Sequence, residues 1–103
     1  MNITVPDKLK CGAYIYDLRM VKDLVVSSNL VGERRPHYSE IVIDEVLHPQ
    51  QRDVTLLHEY IHLMDDVYVL HLEEDDIDRL AMGFMEFLQC LGIELDWQLA
   101  KPA

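Results

Sequence analysis

The chain has 103 residues, half of them apolar, which is enough for one domain with a single core that buries roughly two thirds of its unfolded surface. Nineteen acidic against nine basic residues give a formal charge of -10, which repels a phosphate backbone and argues against direct nucleic-acid binding. Apolar runs such as Leu24–Val26 and Val67–Leu70 are far shorter than the ~20 residues that cross a bilayer, and MNITVPDK opens without an apolar signal segment, so the expectation is a cytoplasmic protein with no membrane partner.

Taken in chain order, Leu9 to Val26 is rich in Tyr, Ile, Val and Leu, with Tyr14, Tyr16, Leu18 and Met20 alternating on one side. That pattern predicts strands, with both tyrosines in the core. Ser27-Ser28-Asn29 and Gly32 to Pro36 carry turn chemistry and predict loop, with His37 and His48 exposed in loops. SEIVID, Ser39 to Asp44, is a short β-branched run and predicts another strand.

Pro49 suits the first residue of a helix, because its missing N–H would be unpaired there in any case. From about 49 to 70 the apolar residues fill a broad arc at 100° per residue and leave one narrow polar arc, occupied by Thr55, His58, Glu59, His62, Asp65 and Asp66. A break near His71-Leu72 separates this helix from a second, about 74 to 91, whose apolar face is Ile77, Leu80, Ala81, Phe84, Phe87, Leu88 and Leu91, with Gly92 at its C-terminal cap. Most of the acidic run Glu73-Glu74-Asp75-Asp76 suits the positive end of that helix. The tail from Ile93 carries Trp97 and no periodicity that assigns an element. Cys11 and Cys90 lack CxxC spacing, which predicts neither a zinc ribbon nor a disulfide but two reduced, buried thiols. Together these elements predict one α+β domain spanning 1–103, a small antiparallel or mixed sheet from about 9 to 44 packed on two helices. No pattern in the sequence sets an oligomeric state.

The chemistry concentrates in His58-Glu59-Tyr60-Ile61-His62. Two histidines four apart lie one helical turn apart on the same side, so both imidazoles reach one ion at about 2.0–2.1 Å. The glutamate after the first histidine points beside the metal, where it accepts a proton from water. Such a site needs a third protein ligand and an open fourth position. Glu74 is the expected third ligand, since packing of Leu80 and Phe84 against the first helix aims it at His58 and His62. Asp78, one turn on, is expected to accept the other ring N–H of a liganding histidine and so fix its tautomer. Glu73 is the nearest rival, within the usual error of a helix start, and His71 the next. Asp65 lies on the His58/His62 face but would crowd the open position, so a role supporting a ligand or the helix packing is expected for it.

Thr55 to Asp66, followed by Glu74-x-x-Ile77-x-Arg79-Leu80-Ala81, resembles the small zincin-type metallopeptidases of bacteria and their phages, close to the ImmA/IrrE group. In that group a glutamate ligand opens ExxAxxFA on the helix after HExxH, and Glu74, Ile77, Leu80 and Ala81 match its register. The Glu74-x-x-x-Asp78 spacing is also similar to the ExxxD of thermolysin-like gluzincins, where the aspartate braces a zinc-bound histidine. Both registers favour Glu74 over Glu73. Upstream, Leu30 to Glu59 resembles the strand-then-helix order of small phage-encoded members. No LLMP-like segment follows the second helix and no helix-turn-helix precedes the catalytic part, so a repressor-cleaving role is not implied.

The resemblance implies a minimal zincin-like domain and a zinc-dependent peptidase acting on a protein or peptide. His58, His62 and Glu74 would hold Zn2+, Glu59 would be the general base, and the strand at Ile41 to Asp44 would pair with an extended substrate. The competing expectation is a zincin-fold binding or structural protein whose zinc staples two helices. Glu59 separates the two, because a structural site has no use for a carboxylate beside an open position.

Overall fold

The structure, a computed structural model, describes residues 1–22, 32–35, 40–97 and 101–102, with 32–35 and 101–102 described by their backbone alone. The elements run β1 (Asn2–Thr4), β2 (Lys8–Cys11), β3 (Tyr14–Val21), β4 (Gly32–Arg35), β5 (Glu40–Asp44), α1 (Pro49–Tyr68), α2 (Glu74–Cys90), β6 (Glu94–Asp96) and β7 (Lys101–Pro102). This is a small α+β fold with two helices and mixed sheets. The sequence expectations for Leu24–Val26, Ser27–Asn29 and His37 lie outside the described residues.

β2 and β3 form a hairpin that pairs Cys11 with Tyr14 around Gly12 and Ala13. Gly12 has φ +60, which suits the first central position of a type II′ turn. A Cβ on Gly12 would also stand 2.6 Å from Val67 Cγ1, so this tip packs against the last turns of α1 only because the residue is glycine.

The larger sheet has the order β2-β3-β5-β4, with β7 beside β3 at Arg19 and Met20. β3 and β5 are parallel, and β4 and β5 antiparallel. Ile41, Val42 and Ile43 are at most 1% exposed, as an unbroken β-branched run in a central strand requires. The core joins the sheet to one face of α1 through Tyr16, Leu18, Ile41, Ile43, Leu56 and Leu63. A smaller cluster of Ile61, Ile77 and Ala81, with Val54, Leu57 and Leu72 around it, joins the two helices.

Several expectations are corrected here. Gly32 to Arg35, expected as loop, is strand β4, whose Glu-Arg-Arg composition is that of an edge strand, where charge deters pairing with other chains. Because β5 has a partner on each side, Ile41 to Asp44 has no hydrogen-bonding edge left for a substrate. Tyr14 is exposed at the hairpin end, although Tyr16 is buried. Leu80, Phe84 and Phe87 are exposed: among the described residues α2 buries its Ile77, Ala81, Met85 row, and the rest of its broad apolar arc has no second neighbour to cover it. Both cysteines are free, and Cys90, on the last turn of α2, is exposed while Cys11 is buried.

The first strand meets the segment that follows α2. β1 pairs in parallel with β6, the terminal ammonium donates to the Gly92 carbonyl at 2.7 Å, and Trp97 is buried with its indole N–H donating to Asp53 Oδ1 at 2.7 Å. That last bond ties the tail to the start of α1. No helix among the described residues is long and apolar enough to cross a membrane.

Candidate metal centre

α1 starts where the sequence places it. His48, exposed and extended (φ -63, ψ 152), is the N-cap, Pro49 is the first helical residue, and the His48 N–H donates to Gln51 Oε1 at 3.4 Å. Two bonds fix how the helix lies. Tyr60 Oη donates to the Lys10 carbonyl at 2.5 Å, and Arg52 donates to the Glu45 carbonyl at 2.8 Å. Burial pushes the Tyr60 hydroxyl above its ordinary pKa, so this donor keeps its proton through the neutral range.

The helix ends in a tight reversal. Val69 caps it with φ 53, and His71 follows with φ 59, both in the left-handed region that side chains rarely adopt and β-branched residues adopt least. Asp65 holds the reversal together: its carbonyl accepts the N–H groups of Val69 and Leu70, and its Oδ1 accepts the Leu72 N–H at 3.0 Å. Asp65, expected to support a ligand or the helix packing, therefore braces the link between the helices. Glu73 serves as the N-cap of α2, with its N–H donating to Asp76 Oδ2 at 3.1 Å. Glu74 is thus the first helical residue, turned towards α1.

Three side chains converge there. His58 Nε2 lies 2.9 Å from Glu74 Oε1 and 3.1 Å from His62 Nε2, and His62 Nε2 lies 3.1 Å from Glu74 Oε2. The two imidazoles meet edge to face, with centroids 4.8 Å apart. On its other side His58 Nδ1 stands 2.9 Å from Asp78 Oδ1. If Nδ1 carries the proton that Asp78 accepts, a neutral His58 has only a lone pair at Nε2, aimed at a carboxylate and a second imidazole. Protons on the rings or a cation must offset that crowding.

The spacing suits a cation. A tetrahedral ion bound at 2.0–2.1 Å has its ligand atoms about 3.3–3.4 Å apart, so the two ring nitrogens and the carboxylate need to open by only a few tenths of an ångström. Glu59, on the same helix face, has its carboxyl buried (7% exposed) and brings an oxygen within 4.8 Å of the ring nitrogens of His58 and His62; His58, Glu74 and Asp78 form a second group of equal compactness. Glu74 and Asp78 are 60% and 58% exposed at their side chains, whereas His58 and His62 are 22% and 14% exposed, so the cluster has a protein floor and an open, acidic rim.

Of the residues singled out in the sequence, the structure brings His58, Glu59, His62, Glu74 and Asp78 together. It puts Asp65 on the reversal, Glu73 at a cap and His71 on the exposed link. The sequence reading also missed an open sheet edge beside the helix. Among the described residues β2 and β4 are the two outer strands of the larger sheet, and the signal for β4 was a short charged segment next to an apolar strand. Comparison of the chain with protein-family models, curated proteins and solved structures returns no match.

Proposed function

We propose that this chain is a zinc-dependent peptidase on a minimal zincin-like domain, with His58, His62 and Glu74 as metal ligands. The observation that carries the reading is the cluster of His58 Nε2, His62 Nε2 and the Glu74 carboxylate, in which Oε1 lies 2.9 Å from His58 and 3.4 Å from His62, Oε2 lies 3.1 Å from His62, and the two ring nitrogens are 3.1 Å apart, with His58 Nδ1 2.9 Å from Asp78 Oδ1. The likeness of HExxH and Glu74-x-x-x-Asp78 to the ImmA/IrrE-type and gluzincin patterns supports the same ligand set.

Zinc held by such a set supplies Lewis acidity, which brings the pKa of a water towards neutrality and polarises a carbonyl. The protein residues divide the remaining work. Asp78 holds His58 in the tautomer that keeps Nε2 bare. Glu59 takes a proton from the attacking water and passes it to the departing amine, and its burial keeps bulk water from taking that proton instead. An extended peptide finds backbone partners along the outer edge of β4. Beside the cluster, Leu47, Gln50, Gln51, Val54, Thr55 and Met82 line a mostly apolar groove of about 350 Å³, one turn from His58 and from Asp78. It is suited to one apolar substrate side chain. The two free cysteines fit a reducing, cytoplasmic setting.

The test is proteolysis of unfolded protein and of a mixed peptide library, read by mass spectrometry, for the zinc-loaded protein and for Glu59→Gln. Cleavage by the parent, with the variant still binding zinc but losing about 10²- to 10⁴-fold in rate, is the expected result. Bound zinc without cleavage in either protein would leave a structural zinc protein instead.

A further inference from the structure

Among the described residues, the buried side chains of α2 form one row, Ile77, Ala81 and Met85. A quarter turn round the helix lie Leu80, Phe84, Phe87 and Leu91, exposed by 40, 46, 58 and 56%. Four large apolar residues left open on one stripe make a surface that water does not favour. Their 4-3-4 spacing is that of a seam between two helices.

The stripe is symmetric about the point between Met85 and Glu86. Leu80 and Leu91 stand equally far on either side of it, and so do Phe84 and Phe87. A two-fold axis through that point sets Leu80 of one copy against Leu91 of another and Phe84 against Phe87, so that every large apolar residue meets one of its own kind. That is the self-complementarity an isologous contact requires. We propose that α2 is a dimerisation helix, packing antiparallel on the α2 of a second copy of this chain.

Two further features fit this occupant. Gly83 borders the stripe, a Cβ there would meet nothing within 4 Å, and with Arg79, Leu80, Phe84 and Phe87 it lines a groove of about 320 Å³ that takes an aromatic ring from the facing helix. The last turn of α2 has no basic residue of its own. In the antiparallel arrangement Arg79 lies opposite Gly92, at the carbonyl end of the other helix, where a cation is favoured. At about 200 Å² per large side chain, half of it open, the stripe offers on the order of 400 Å² per copy against the ~800 Å² of a standard interface. A contact of about half the standard size is expected to associate weakly and reversibly. Glu74 and Asp78 lie more than a quarter turn away from the stripe, so pairing leaves the metal cluster open and the inference does not depend on it.

Sedimentation velocity from ~1 to ~200 µM tests it, on the full chain and on Phe84→Glu, Phe87→Lys and the double variant. The parent is expected to pass from monomer to dimer across that range. Each single variant, folded by circular dichroism because its site is exposed, is expected to weaken association at least tenfold. The double variant sets the new carboxylate and the new ammonium face to face across the two-fold axis and is expected to recover much of the loss. A parent monomeric throughout, a dimer indifferent to Phe84→Glu, or no recovery in the double variant would each overturn the antiparallel pairing.

Discussion

Helix α1 buries two carboxylates less than two turns apart, Asp53 at 8% exposure and Glu59 at 7%, and they face different things. Asp53 meets the indole N–H of Trp97 at 2.7 Å, a neutral donor from the tail, and burial raises its pKa against the smaller opposing effect of that bond. Glu59 sits beside His58 and His62, whose ring nitrogens already crowd against Glu74. The contrast shows that burial alone does not mark a carboxylate as chemical. A neutral donor makes a clasp, whereas a cluster of lone-pair atoms at metal-ligand spacing makes a candidate metal site.

The largest effect expected from breaking that contrast is on turnover. Glu59→Gln is to cost about 10²- to 10⁴-fold in peptidase rate with zinc retained, whereas Asp53→Asn leaves the rate within about twofold. If both variants lost activity equally, Glu59 would have no special place. Next comes Asp78→Ala, which frees His58 Nδ1 and is expected to weaken zinc binding about 10- to 100-fold in a competitive chelator titration.

The clasp shows itself in stability rather than rate. Asp53→Ala leaves the Trp97 N–H buried without its acceptor and is expected to cost about 1–3 kcal/mol in denaturant unfolding. Asp53→Asn keeps an acceptor oxygen and removes the buried charge. Because the folded pKa of Asp53 lies above its unfolded value near 3.8, the stabilisation it gives is complete below that value and is lost as pH rises through the folded pKa. In that acid window the parent should lose stability with rising pH by a component that Asp53→Asn lacks, which matched unfolding curves can measure. The smallest effect is local: Val69→Gly relieves a β-branched residue at φ 53 and is expected to stabilise by about 1 kcal/mol.

Much of this was legible in the sequence because it is local. Pro49 marks the start of α1, the Glu73-to-Asp76 run marks α2, and Ile41 to Ile43 can only be a covered strand. The spacing of His58, His62, Glu74 and Asp78 likewise put four site residues on two facing helix turns. What was not legible depends on partners far away in the chain. β1 and β6 are three residues each and exist because they pair with one another. Gly32 to Arg35 looks like a turn until β5 lies beside it. The side of α2 that meets α1 was misjudged because Leu80, Phe84 and Phe87 are more apolar than Ala81, and small residues such as Ala81 are what let two helices approach closely. If the exposed stripe pairs with a second copy, its hydrophobicity was sound information about a different interface.

The most direct measurement is zinc per chain by elemental mass spectrometry, on protein purified without added metal or a histidine tag, for the parent, His58→Ala, His62→Ala, Glu74→Ala and Glu73→Ala. The account predicts about one zinc in the parent and in Glu73→Ala, and close to none in the other three. A parent without zinc, or one whose zinc survives Glu74→Ala, would contradict it.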